Sequence, residues 1–360
     1  RERVYLAPTP EHEMIAKQAQ PTWKPDIEFF QQALGFRVGN YGMTKWSDLF
    51  TNRQLAALAI LSELVQEARE QVLQDALVAG LSDDGKSLAE GGTGAQAYAD
   101  AIGIYLAFGM SKTANRANSL ATWMPAVQCP GHLFRRNAIP MSWDFCEGNT
   151  IGGPSGSFKS MIDDTVKALE FTCSSQMYGF GIQADAAQQT NSVGKVISTD
   201  PPYYDNVGYA DLSDFFYVWL RNSLKSFFPA LFPTLAVPKS EELVATPCRH
   251  GSKEKANAFF LEGMTRAMHR LVEQSHPAFP VTIYYAFKQS ESDGVEGTSS
   301  TGWETFLGAV IYAGFAITGT WPVNTERENR TRNQGSNALA SSIIIVCRPR
   351  PANAPMATRR

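Results

Sequence analysis

The chain has no apolar run near the roughly 20 residues that a membrane-crossing helix requires. It also has no C-x-x-C pair. Its five cysteines (Cys129, Cys146, Cys173, Cys248 and Cys347) are scattered and odd in number, a pattern that fits neither a disulfide framework nor a zinc ribbon. The five histidines are dispersed as well, so no metal site is expected. Unpaired cysteines of this kind suit a reducing cytoplasm. The start, Arg1-Glu2-Arg3-Val4-Tyr5-Leu6, carries neither an initiator Met nor a signal-peptide pattern, which raises the expectation of a fragment or processed piece. There is no basic excess: Lys and Arg number 32 against 35 Asp and Glu, a formal net charge of -3. Any affinity for nucleic acid must therefore come from a local patch. No internal repeat is present.

What remains is the composition of a folded protein, 44% hydrophobic and 19% charged over 360 residues, enough for roughly two domains. Residues 1–50, rich in Pro, Gly and aromatics, read as an extended segment lying on another surface. Asp48 or Thr51 caps a helix over about 52–80, where Leu55, Leu58, Leu61, Leu64 and Val65 recur at helical spacing. A polar turn at Ser82–Lys86 precedes a second helix over about 95–122, and a further one over 159–171 closes a helical region spanning 51–172. From there to 350, short apolar runs alternate with helices. The runs are Gly181–Gln183, Lys195–Ser198, Val281–Tyr285, Ala316–Thr320 and Ser342–Val346, with helices at 211–226, 254–274 and 302–313. This alternation predicts an α/β fold, a βαβ sheet with helices on both faces. Its last two strands lack a full helix between them and read as an antiparallel edge hairpin. Residues 351–360 are expected to form a disordered tail.

The sharpest chemical signal is Ser198-Thr199-Asp200-Pro201-Pro202-Tyr203-Tyr204-Asp205. It follows the apolar run ending at Ile197, which places it at the carboxyl end of a strand, where open α/β sheets bind ligands. The pattern suits one chemistry. An exocyclic base amine is a poor nucleophile because its lone pair is delocalised into the ring. The Asp200 carboxylate and a carbonyl beside Pro201 can each accept an N–H bond and draw the nitrogen toward tetrahedral geometry. Pro201 and Pro202 fix φ and remove competing donors. Tyr203 or Tyr204 can stack on a base swung out of the duplex. Such catalysis is positioning and fixed dipoles, with no covalent intermediate. The plain alternative is a chance Asp-Pro-Pro turn with packed tyrosines.

Other segments leave two readings each. Gln183-Ala184-Asp185-Ala186 ends the preceding apolar run, and Asp185 also suits an N-cap. Asn324–Asn333 carries Arg327, Arg330 and Arg332 among amides, suited to phosphate and base-edge contacts or to a solvated loop. Arg249, His250, Lys253 and Lys255 read as a basic cluster at a helix start. Phe215, Phe216, Val218, Trp219 and Leu220 read as core.

The Asp200–Tyr203 order resembles the D/N-P-P-Y/F/W motif of amino-methyltransferases that act on adenine N6 or cytosine N4. Wider stretches are similar to one family, the large adenine-specific DNA methylases of prokaryotes, often found beside anti-phage and restriction genes. These are Tyr5–Glu13, Trp46–Leu55, Trp143–Glu147, Asp200–Trp219, Ser300–Glu304 and Gln334–Ser342, so the similarity covers nearly the whole chain and resembles that family's C-terminal part. The resemblance implies a Rossmann-like methyltransferase sheet over 173–350 and S-adenosylmethionine as cofactor. It further implies DNA as partner, with transfer to adenine N6 through Asp200, Pro201, Pro202 and Tyr203. It implies that Asp185 accepts a hydrogen bond from the cofactor's adenine amine, with Ala186 and Asp200 beside the cofactor. Trp143, Asp144 and Glu147, isolated in a loop, are read separately as candidates to line the cofactor pocket, and Tyr203, Tyr204, Asn206, Arg327, Arg330 and Arg332 as base or DNA contacts. One element departs from the family: its F-x-G-x-G loop after the first strand is missing, since Gly91–Gly94 lacks a preceding strand and Gly152–Gly156 follows a polar loop. The expectation is that this loop and the first two strands lie on an absent segment or a partner subunit. Cytosine N4, an RNA base, a protein glutamine amide, or a non-catalytic DNA-binding subunit are the alternatives.

Overall fold

The computed structural model describes residues 6–30, 36–134, 138–153, 155–172, 179–205, 207–286, 301–324, 341–351 and 353–354. The chain forms two compact units: Arg1–Tyr178 with Tyr209–Lys239, and Gly179–Gly208 with Ser240–Arg360. None of the described helices is long and apolar enough to cross a membrane.

The first unit is mainly helical: α1 (Pro10–Gln18), α2 (Asn52–Val78), α3 (Ala95–Ala114), α4 (Phe158–Thr172) and α5 (Tyr209–Leu224), with a two-stranded ribbon, β1 (Trp123–Met124) and β2 (Cys129–Pro130). Thr51 starts α2 through a capping box. Its Oγ1 accepts from the Gln54 amide at 3.3 Å, and the Gln54 side chain accepts from the Thr51 amide at 2.9 Å, satisfying donors that the first turn leaves orphaned. Leu55, Leu58, Ala59 and Val65 then form its buried stripe. Small residues let α3 approach its neighbours closely, with Gly103 against the Phe227 ring and Gly109 against Ile162. Residues 1–50 contribute more than an extended strap. They hold α1 and two 3-10 turns (Arg37–Tyr41 and Trp46–Leu49), and they bury Phe29, Phe36, Val38 and Trp46 in the core.

The helix at 209–224, which the alternation assigned to the sheet region, belongs to this first unit instead. Aromatic packing explains the assignment. Phe215 stacks on Phe50 at 5.9 Å and meets Phe134 edge-on at 5.3 Å, while Trp219 meets Trp23 at 5.3 Å. Large rings contribute most of the burial energy available to a helix face, and the complementary rings lie in residues 23–50 and 134.

The second unit carries a four-stranded sheet in the order β3 (Ser198–Thr199), β4 (Val281–Tyr285), β6 (Ser341–Pro349), β5 (Phe315–Asn324). β3 and β4 run parallel, and β6 is antiparallel to both β4 and β5. The expected hairpin of the last two strands is present, with β5 as its outer strand and a bulge at Ile317–Gly319. Two long helices, α7 (Lys253–Gln274) and α8 (Thr301–Tyr312), and a short one, α6 (Pro247–His250), complete it. Phe260, Met264, Phe306 and Val310 of α7 and α8 share one core cluster with Val281, Ile283, Tyr285, Ile345 and Cys347. Those strand residues alternate, so they line a single face of the sheet. Thr282, Tyr284, Ile344 and Val346 occupy the other face and remain half-buried or exposed. The protein is therefore a mixed α/β molecule with α7 and α8 packed on one face of a mixed sheet.

The strand expected at Gly181–Gln183 does not form. Phe180 and Ile182 are exposed, and β3 is paired only with β4 among the described residues. A two-residue strand offers little ladder for a neighbour, and unpaired extended backbone has no other stabilisation than solvent.

Candidate functional site

The parallel pairing of β3 and β4 sets the site. Ser198 lies opposite Thr282 and Thr199 opposite Ile283, and extended pairing reaches back to Lys195, whose carbonyl accepts from the His276 amide at 3.1 Å. The carboxyl ends of both strands therefore open on the same edge. Asp200, Pro201 and Pro202 leave β3 there, and Tyr285 is the last residue of β4. Asp200 is exposed, and its carboxylate makes no hydrogen bond with another described residue, whereas Pro201 is buried and anchors the turn.

Tyr203 leans edge-on against Tyr285, with ring centroids 5.3 Å apart at 71°. Tyr285 in turn stacks on Phe306 at 3.8 Å and 10° and has Trp303 tilted beside it at 5.8 Å. This file of rings is a rigid floor beneath the turn. Burial pushes the Tyr285 phenol far above the ordinary range, and a backbone hydrogen bond from Tyr204 opposes that only in part. Tyr285 is thus a neutral structural ring.

Tyr204 is one of two described non-glycine residues with positive φ, at 35°. Its ring meets Phe260 of α7 edge-on at 5.2 Å, its hydroxyl donates to Asn257 Oδ1, and its carbonyl accepts from the Ala245 amide at 2.8 Å. Burial, followed by the nearby Asp205 charge, holds its phenol above the usual value, so it remains a donor at neutral pH.

Within the second unit, Asp185 and Ala186 lie in a turn of their own, apart from the Asp200–Tyr204 turn. Asp185 caps its own turn, accepting from the Ala187 amide at 2.8 Å and the Gln188 side chain at 2.7 Å. That turn is fastened toward the C-terminal end of α7, where Arg270 donates to the Gln188 carbonyl and Gln274 to the Gln189 carbonyl. Tyr204, by contrast, is held at the N-terminal end of α7. The capping behaviour of Asp185 is the one its position before an Ala-rich turn allowed. Ala186 lies in the same turn.

Trp143 and Asp144 belong to the first unit. Trp143 is 76% exposed and meets Tyr41 edge-on at 4.9 Å. Their neighbour Glu147 accepts from Thr51 Oγ1 at 2.6 Å and pairs with Arg53, which makes it a clamp on the start of α2. In the basic cluster, Arg249 is paired with Glu242 at 2.6 Å and both are largely buried, while His250 stacks on Phe259 at 4.3 Å. Only Lys253 and Lys255 present exposed charge there. Asn206, Arg327, Arg330 and Arg332 lie outside the described residues, as does most of the expected tail. Among the described residues no group of three or more His, Cys, Asp or Glu is arranged to hold a metal ion.

Asn257, Tyr285, Gly302 and Trp303 contribute to the site without having been singled out as site residues. Tyr285 ends a legible strand and was readable as a strand terminus. Asn257 sits on a polar helix position that nothing local distinguishes. Comparison of the chain with protein-family models, with curated proteins and with solved structures finds no match.

Proposed function

We propose that this chain is the catalytic part of an S-adenosylmethionine-dependent DNA methyltransferase acting on an exocyclic base amine, adenine N6, and that it belongs to the large adenine-specific methylases its sequence resembles. The observation that carries the reading is the Asp200–Tyr204 turn. It stands at the carboxyl edge of the parallel β3–β4 pair, its carboxylate exposed, Tyr203 resting on a floor of rings and Tyr204 held against α7. A Rossmann-like sheet is part of the same proposal, supported by that parallel pair and by the acid-proline turn at its carboxyl edge.

The residues of the chain would act as follows. A base swung from its stack lies against Tyr203, and the Asp200 carboxylate accepts one N–H of the amine. A carbonyl flanking Pro201 accepts the other, since neither proline offers a donor to compete. The lone pair is thereby released toward the electrophilic methyl that the cofactor supplies when bound. The exposed Asp200 carboxylate takes the proton the amine gives up and passes it to water. Asp185 caps its own turn. The described residues beside the turn include no glycine cradle for the methionine end of the cofactor.

Transfer of labelled methyl to duplexes containing adenine, compared with duplexes whose only exocyclic amines are on cytosine and guanine, tests the proposal. It is run with the chain alone and with any polypeptide encoded directly upstream. Label on adenine supports it, label on cytosine moves the target to N4, and no label in any arm rejects it.

A further inference from the structure

We infer that Asn257 is a positioning residue: by binding the Tyr204 hydroxyl it locks the amine-gripping turn in the conformation that chemistry at Asp200 requires. The inference rests on the proposed function for its catalytic consequence, but not for its structural one. Positive φ is costly for a bulky aromatic residue and persists only where the surroundings impose it. Tyr204 adopts φ 35°, one step beyond the Asp200-Pro201-Pro202-Tyr203 run. If Tyr204 relaxed to negative φ, the chain direction after Pro202 would change, and Tyr203 and the carbonyls beside the prolines would turn with it.

Three contacts, all outside the β3 strand, oppose that relaxation. The Ala245 amide bonds the Tyr204 carbonyl at 2.8 Å. The ring is wedged between Phe260 and the backbone of Gly302. The hydroxyl is bonded to Asn257. The first two restrain the residue at its base, whereas the third holds the far end of a side chain whose rotation would carry the backbone with it. Asn257 is half-buried near the start of α7, a capped helix of 22 residues, so its carbonyl is a fixed acceptor. The phenol stays protonated, because burial and Asp205 hold it above its ordinary range, and the tether therefore survives across the neutral and mildly alkaline range.

The test is a double-mutant cycle on the full chain with Tyr204→Phe, Asn257→Ala and the pair. It is read first by hydrogen exchange of the peptide covering 199–210, with peptides from β4 and β6 as the folding control. Loss of the tether is expected to raise exchange in that peptide about tenfold in each single variant and no further in the double, because both remove the same bond. β4 and β6 should be unchanged. In methyl transfer, each single variant should lower kcat by about tenfold or more, with KM for duplex and for cofactor unaltered, since a misplaced group costs rate and not binding. Unchanged exchange at 199–210, or effects that add in the double variant, would overturn the inference. Absence of methyl transfer by the wild-type chain, with exchange behaving as described, would overturn the proposed function and leave the positioning role standing.

Discussion

The backbone of Gly302 lies directly against the ring of Tyr204. A Cβ at position 302 would stand 2.8 Å from Tyr204 Cδ1 and 2.9 Å from Cγ. Gly302 sits in the first turn of α8, where alanine would ordinarily improve helix stability by about 1 kcal/mol. The ring cannot swing away, because Phe260, Asn257 and the Ala245 amide hold it. Overpacking of this kind costs about 1–3 kcal/mol, so the collision wins. Gly302→Ala is expected to lower the urea midpoint of unfolding, and a rise would show that the ring is free to move.

A second prediction concerns pH and the first unit. Asp214 is buried and accepts from Lys239 Nζ at 2.7 Å and from the Val237 amide at 2.8 Å. Burial raises its carboxyl above the ordinary aspartate value, and the Lys239 hydrogen bond only partly offsets that. Folding thus disfavours the ionised form. The group's contribution to stability is full below the ordinary aspartate range and is lost as pH rises through its raised folded value. Asp214→Asn keeps the shape and cannot ionise. Its stability relative to wild type should therefore improve steadily as pH is raised from about 4 to about 7. Urea midpoints across that interval check this, and a wild-type advantage that grows with pH would contradict it.

Thiol reactivity separates two cysteines. Cys347 is fully buried on the core face of β6, and burial pushes its thiol up to about 12. At pH 8 only about one such thiol in ten thousand is ionised, and the thiolate is the reactive species. Cys248, in α6, is exposed. Iodoacetamide at pH 8 should alkylate Cys248 in the native protein and Cys347 only after denaturation, as read by peptide mass.

Much of the architecture was legible because it rests on local rules. Thr51 and the leucine spacing after it announced α2, the run 281–285 announced β4, and the lack of a full helix between the last two apolar runs announced an antiparallel hairpin. The acid-proline turn was legible for the same reason, since its chemistry is contained in consecutive residues. The destination of the 209–224 helix was not legible, because rings far away in sequence, Trp23, Trp46 and Phe50, decide it. The strand at Ile182 was overestimated, because a short apolar run becomes a strand only beside a partner. Asp185 illustrates the limit most plainly: one side chain suited both a helix cap and a ligand contact, and the cap is the role its hydrogen bonds display. Asn257 and Gly302 carry no local signature, since their role exists only once α7 and α8 meet the turn.

The central claim is that the Asp200 carboxylate grips a base amine, and its most direct test compares Asp200→Ala with wild type in labelled-methyl transfer to adenine-containing duplex. Asp200 is exposed and supports no described contact, so the substitution should leave the unfolding midpoint within about 0.5 kcal/mol of wild type. Abolished transfer in a variant that folds as wild type is the expected result. Transfer that persists at the wild-type rate in that variant would contradict the account.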